Sequence, residues 1–200
     1  MKKVLLLLAN GFEAFEASVF ADVIGWNKLE GDLNTELLTT GLHEEIKSTV
    51  GFAVKRELRI SEINVDEFDA LAIPGGFEEK GYYDDAFHED FLNLINKFHE
   101  SNKIIASICV GALPIAKSGI LKNKNATTYG IGQSTRQKQL SDFGVNVIPN
   151  QSMVVDGNII TGYNPSASFE VAFYLLELLT SKDNCSKIKA LMGFKNNWGD

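Results

Sequence analysis

The hydrophobic pattern alternates between two periods along the chain. Val4 to Ala9 is an unbroken apolar run, the signature of a parallel strand covered on both faces. Glu13 to about Lys28 follows the helical period, with Phe15, Val19, Phe20, Val23 and Ile24 on one arc. Thr35 to Thr40 reads as a second strand, and Val54 to Ile60 with its neighbours as an extended, partly exposed excursion. Ala70 to Ile73 is a short buried strand stopped by Pro74-Gly75-Gly76. Phe87, Phe91, Leu94, Ile95 and Phe98 form the apolar stripe of a helix, and Lys103 to Ser107 forms another strand. A helix follows Cys109 through about Ala116. Val145 to Ile148 and Met153 to Val155 are strand segments, and the turn Asp156-Gly157-Asn158 leads into Ile159 to Thr161. Ser166 to Leu179 is a long helix and Asn184 to Gly193 a short last one. Such strand–helix order predicts an α/β fold with a mainly parallel sheet and helices on both faces.

Composition narrows the function. The 200 residues are 44% hydrophobic and 22% charged, ordinary for a globular chain, and the length reads as one domain over residues 1–200. A formal charge of −7 argues against nucleic-acid binding, which needs a basic face. The apolar start is too short for a membrane span or export signal and soon meets Glu13 and Glu16, so a cytoplasmic protein is expected. Cys109 and Cys185 stand in no metal-binding spacing, and neither a metal nor a cofactor is expected.

Chemistry in parallel sheets gathers at the carboxyl ends of the strands. Ile104 to Ala112 places Cys109 at an abrupt strand-to-helix junction with Gly111 two residues on, an arrangement like a nucleophile elbow. A helix N-terminus there would stabilise a thiolate and lower the thiol pKa below that of a free cysteine. The alternative is a structural cysteine packed as a small hydrophobe. Pro74-Gly75-Gly76 lets backbone approach a ligand, and its amides with that of Val110 can form an oxyanion hole; otherwise it is turn punctuation. Glu16 falls inside the apolar arc of its helix, where a carboxyl tends to stay protonated and to donate a hydrogen bond. A neutral acid beside a thiolate is a coherent pair, and it decides for chemistry at Cys109. Glu13, one turn away, is either a first-turn acid favoured by the helix dipole or part of the same site.

These segments resemble the ThiJ/PfpI family, within the class I glutamine amidotransferase-like fold. The resemblance rests on Leu8-Ala9-Asn10-Gly11-Phe12-Glu13 with Glu16, on Ile73-Pro74-Gly75-Gly76, on Ala106-Ser107-Ile108-Cys109-Val110-Gly111, on Ala126-Thr127-Thr128, and on Asn164-Pro165-Ser166 with Phe169-Glu170. It implies a flavodoxin-like sandwich, a homodimer, and a Cys109–Glu16 pair served by the amides of Gly76 and Val110. Gly75, Tyr129 and Glu13 are then the substrate-binding positions. The family includes glyoxal- and methylglyoxal-directed lyases or deglycases, peptidase-like hydrolases, chaperones and oxidative-stress sensors.

One departure matters. Family members with a catalytic histidine carry it directly after the cysteine or after the Thr-Thr segment, where this chain has Val110 and Tyr129. His43, His88 and His99 fall in a loop, near a helix start and near a helix end, and read as solvated. Without a Cys–His dyad, proteolysis loses its acid catalyst. Two functions remain: an enzyme on small carbonyl compounds, of the glyoxalase or deglycase type or a small-amide hydrolase, and a non-enzymatic stress protein or chaperone working through oxidation of Cys109. Cys185, among polar neighbours, reads as incidental, and Trp26 and Trp198 as packing or surface residues.

Overall fold

A seven-stranded sheet runs through the computed structural model, which describes residues 1–194. In chain order the strands are β1 (Lys2–Leu8), β2 (Thr35–Gly41), β3 (Glu45–Lys47), β4 (Ala53–Lys55), β5 (Leu58–Arg59), β6 (Ala70–Ile73), β7 (Ile104–Ile108), β8 (Asn125–Ala126), β9 (Asn146–Val147), β10 (Met153–Asp156) and β11 (Ile159–Gly162). The helices are α1 (Ala14–Glu30), α2 (Tyr82–Ala86), α3 (Glu89–Glu100), α4 (Ala112–Lys117), α5 (Arg136–Asp142), α6 (Ser168–Leu179) and α7 (Lys182–Leu191). The sheet order is β10-β11-β7-β6-β1-β2-β5, all parallel except for the antiparallel edge pair β10–β11.

The unbroken apolar run of β1 is explained by its position between β6 and β2. Val4, Leu6 and Leu8 face a core with Phe20 and Val23 of α1 and Val171 and Leu175 of α6. Leu5 and Leu7 face the opposite core with Phe91 and Ile95 of α3 and Leu113 of α4. Each such buried side chain contributes about 1.5–3 kcal/mol, so the two faces bind both helical layers to one strand. The result is the three-layer α/β sandwich that the alternating pattern implies.

The differences from the sequence pattern are local. Phe15 does not share the buried arc of α1: it is 46% exposed, and Glu16, Ala17, Val19, Phe20, Val23, Ile24 and Asn27 are the buried positions. The excursion before β6 is the hairpin β3–β4, followed by β5 on the edge of the main sheet. Phe87 caps α2 and lies outside α3, whose buried stripe is Phe91, Leu94, Ile95 and Phe98. The Val145–Ile148 strand is shortened to β9, which pairs with β8 in a separate two-stranded ribbon. Cys185 is fully enclosed in α7, its Sγ donating to the Phe173 carbonyl at 3.1 Å, so it is a core residue rather than an incidental one. Trp26 is half-exposed, and Trp198 lies outside the described residues.

Candidate functional site

β7, β6 and β1 are neighbours in the sheet, so their carboxyl ends bring together three segments far apart in sequence. Cys109 follows β7, Gly75 and Gly76 follow β6, and Glu16 lies in the first turn of the helix after β1. Cys109 has φ +56°, a conformation costly for a residue with a side chain. The tight turn that this conformation makes hands the chain straight from β7 into the short helical turn preceding α4. Thr128 holds the turn by donating its hydroxyl to the Cys109 carbonyl at 2.8 Å. Gly111 is needed two residues on because a Cβ there would sit 2.6 Å from the Ile73 carbonyl oxygen. The elbow geometry is therefore present at Cys109.

Glu16 is fully buried, and its Oε2 accepts the Gly75 N–H at 2.6 Å. The other oxygen, Oε1, has no hydrogen-bond partner among the described residues. Burial pushes this carboxyl from 4.5 up to about 8, against the Gly75 hydrogen bond and with help from the Glu13 charge. Glu16 is thus a neutral acid at pH 7, and with Oε2 accepting from Gly75, its proton belongs on Oε1. The Cys109 thiol is pushed upward rather than downward: burial does most of this and the Glu16 charge adds to it, while the Val110 amide opposes. The expected depression fails because the elbow is enclosed, and desolvation of a thiolate outweighs the short helix behind it. Each group moves the other's titration, through charge and through the contact between the two side chains.

The Gly75 amide is committed to Glu16, so it is unavailable to a developing oxyanion. Gly76 and Val110 are the residues of the strand end and the elbow that line the cavity beside Cys109. Gly76 is packed so closely that an added Cβ would overlap the Tyr82 ring and the Gly11 carbonyl. Tyr82 is buried, and its hydroxyl donates to the Pro74 carbonyl at 2.7 Å, which fixes the strand end. Glu13 is the N-cap residue of α1, accepting from Phe15 N at 3.4 Å, and it also lines the cavity.

Cys109, Glu16, Glu13, Gly76, Val110 and Tyr129 share one cavity of about 440 Å³. Gly75 is the one expected site residue that does not line it; its role is to hold Glu16 from behind. The opposite wall has two parts: the loop from Phe77 to Asp85 is expected from the sequence to wall the pocket, whereas the segment leading into α5 carries no signal for it. Gln133, Ser134, Thr135 and Arg136 come from the segment leading into α5, and Phe77, Glu78 and Glu79 from the loop after Gly76. Arg136 binds Glu78 at 2.7 Å and lies over the Tyr83 ring at 5.1 Å. No histidine borders this cavity among the described residues. His43 pairs instead with buried Asp85 at 3.0 Å in a larger cavity of about 760 Å³, which does not contain Cys109.

The DJ-1/PfpI family model matches residues 2–178. This chain belongs to the DJ-1/PfpI family. Among its curated relatives, Deglycase PfpI of Pyrococcus furiosus is 29% identical over 164 residues, covering 82% of this chain and 90% of that one. Uncharacterized protein MJ0967 of Methanocaldococcus jannaschii is 30% identical over 135 residues, and the match spans 64% of this chain and 63% of that protein. The crystal structure of Drosophila melanogaster DJ-1beta superposes with a TM-score of 0.82 at 23% identity, covering 96% of this chain and 97% of that one. The DJ-1/PfpI fold is the flavodoxin-like α/β sandwich, in agreement with the sheet order above. No helix among the described residues is long and apolar enough to cross a membrane.

Proposed function

We propose that this DJ-1/PfpI protein is a cysteine-dependent enzyme acting on small carbonyl compounds, in the manner of a glyoxalase or deglycase. The observation carrying this reading is the free, buried Oε1 of a neutral Glu16 in the same cavity as the Cys109 elbow. Loss of one proton from the pair leaves a carboxylate beside the thiol, and transfer of the Cys109 proton to that carboxylate as the substrate approaches gives the reactive thiolate beside a carboxylic acid. Sγ then forms a bond to the carbonyl carbon, the C=O π pair moves to oxygen, and the amides of Gly76 and Val110 face the developing charge. Glu16 gives its proton to that oxygen, so a hemithioacetal and a carboxylate result. The carboxylate is then placed to take the proton of the hemithioacetal carbon itself, which the neighbouring carbonyl of an oxoaldehyde acidifies, giving an enediol. Tyr129 and Glu13 position the substrate, while Gly75 holds Glu16 from behind. A relative named as a deglycase, similar over 82% of this chain, agrees with this chemistry.

The test is methylglyoxal turnover by the wild-type protein, Cys109→Ser and Glu16→Gln. Turnover lost in both variants supports the reading, and turnover that survives Cys109→Ser overturns it.

The cavity's lack of a histidine favours a second reading, a sensor in which a peroxide oxidises Cys109. The thiolate takes one oxygen from hydrogen peroxide and releases water, giving a sulfenate, and a second equivalent gives a sulfinate, which the Glu16 acid can hydrogen-bond. Peroxide-dependent gain of two oxygens at Cys109 without any methylglyoxal turnover selects this reading over the first. A single domain over residues 1–200, acting as a homodimer in the cytoplasm, accompanies both. Both cysteines are free, which suits a reducing compartment. An apolar groove bordered by exposed Phe15, Val50 and Phe52 suits a second copy.

A further inference from the structure

The charges around Cys109 are unequal. Glu13, Glu78 and Glu79 line the cavity with Cys109 and Glu16, and among the described residues the one cation there is Arg136. Arg136 is not free to receive an anionic substrate. Its Nη2 binds Glu78 at 2.7 Å, its Nη1 binds Gln139 at 3.1 Å, and its guanidinium plane rests over Tyr83. A planar guanidinium engaged on both prongs and on its face has little left to offer a carboxylate. Glu13 and Glu79 enter no ion pair among the described residues, so two carboxylates stand uncompensated. Glu16 lines the same cavity with a buried, unpartnered carboxyl oxygen, whose acid form is a donor for a neutral carbonyl oxygen.

We infer that this site selects electrophiles that are neutral or attached to a cationic group, such as an aldehyde adduct of an amine, and discriminates against those bearing a carboxylate. This rests on the reading of Cys109 as the nucleophile. Two unbalanced charges at the mouth of a cavity with low-dielectric walls concentrate field lines toward the thiol. Glu78 and Glu79 are exposed, so part of the effect is screened by salt. The Arg136–Glu78 pair acts as a specificity element: it occupies the guanidinium that would otherwise attract a 2-oxo acid.

The experiment compares methanethiosulfonate reagents of equal reach, one ending in an ammonium and the other in a sulfonate. Rates at Cys109 are followed by site-resolved mass spectrometry and divided by the same rates for 2-mercaptoethanol. The expected result is a preference for the cation of about fivefold or more at low salt, shrinking toward unity in 0.5 M salt. Glu78→Gln/Glu79→Gln removes Glu79, one of the two uncompensated carboxylates, and the partner that occupies Arg136, so the freed guanidinium offsets the remaining Glu13 and the preference should fall below about twofold or reverse. A wild-type ratio equal to that of 2-mercaptoethanol, or a ratio unchanged in the double variant, overturns the inference. Equal, rapid labelling by both reagents leaves the nucleophile reading standing. A Cys109 that neither reagent labels overturns that reading and the inference with it.

Discussion

At the scale of single residues, the site depends on glycines that no side chain can replace. Gly76 lies against the Tyr82 ring and the Gly11 carbonyl, so Gly76→Ala must displace one of them. Overpacking of this kind costs about 1–3 kcal/mol, and urea denaturation should show a loss in that range. The same variant should slow alkylation of Cys109, because the Gly76 amide moves with its backbone. Unchanged stability would mean that the strand end is looser than the contacts imply. Gly75 shows how a residue can be essential without touching the ligand: its amide faces away from the cavity to hold Glu16. Sequence reasoning identified both glycines but could not divide their amides between an oxyanion and a carboxyl. That division is set by where Glu16 points.

At the scale of elements, the connection from β1 to α1 is tied to α2. Asp85 is buried and accepts the Asn10 N–H at 2.8 Å and His43 Nε2 at 3.0 Å. Asp85→Ala leaves a backbone donor without its acceptor and should destabilise by about 1–3 kcal/mol, read as a shifted denaturation midpoint at constant slope. A shift below a few tenths of a kcal/mol would show that the tie does not hold the loop. The elements themselves were largely legible. β1, β6, β7, α1 and α6 follow from unbroken or periodic apolar stretches, and the Cys109, Gly76 and Glu16 segments from their places after strands. α5 was not legible, because Leu140 is its one buried residue and supplies no stripe. Arg136 and the wall it brings were lost with it. Phe15 was misplaced because a periodic arc gives direction but not depth, and the first turn of α1 has a neighbour only on its inner side. The thiol pKa was misjudged for a related reason: enclosure is a tertiary property that local sequence does not carry.

At the scale of the whole molecule, Glu16 couples stability to pH. Its folded pKa, about 8, lies above its ordinary value of 4.5. The unfolded chain therefore releases this proton first as pH rises, and stability falls progressively between about 4.5 and 8. Melting temperature should decline across that window, and Glu16→Leu should flatten the decline while raising stability at pH 8. An equally steep decline in Glu16→Leu would assign it to other groups. The homodimer is tested separately: light scattering should give twice the chain mass at micromolar concentration, and Phe52→Glu in the exposed apolar groove should return it to one. A wild-type monomer would remove the dimer without touching the site.

The claim on which the rest turns is that Cys109 and Glu16 share their protons. The direct measurement is the pH dependence of Cys109 alkylation by iodoacetamide, with the modified site assigned by mass spectrometry. In the wild-type protein the rate should rise about tenfold per pH unit to a shoulder near pH 8, where the pair gives up its first proton, and climb again at higher pH as the raised thiol itself ionises. In Glu16→Gln that step should vanish, and the profile should move upward, because burial still raises the thiol and no acid remains to face the thiolate. An identical profile in the two proteins would contradict the pair.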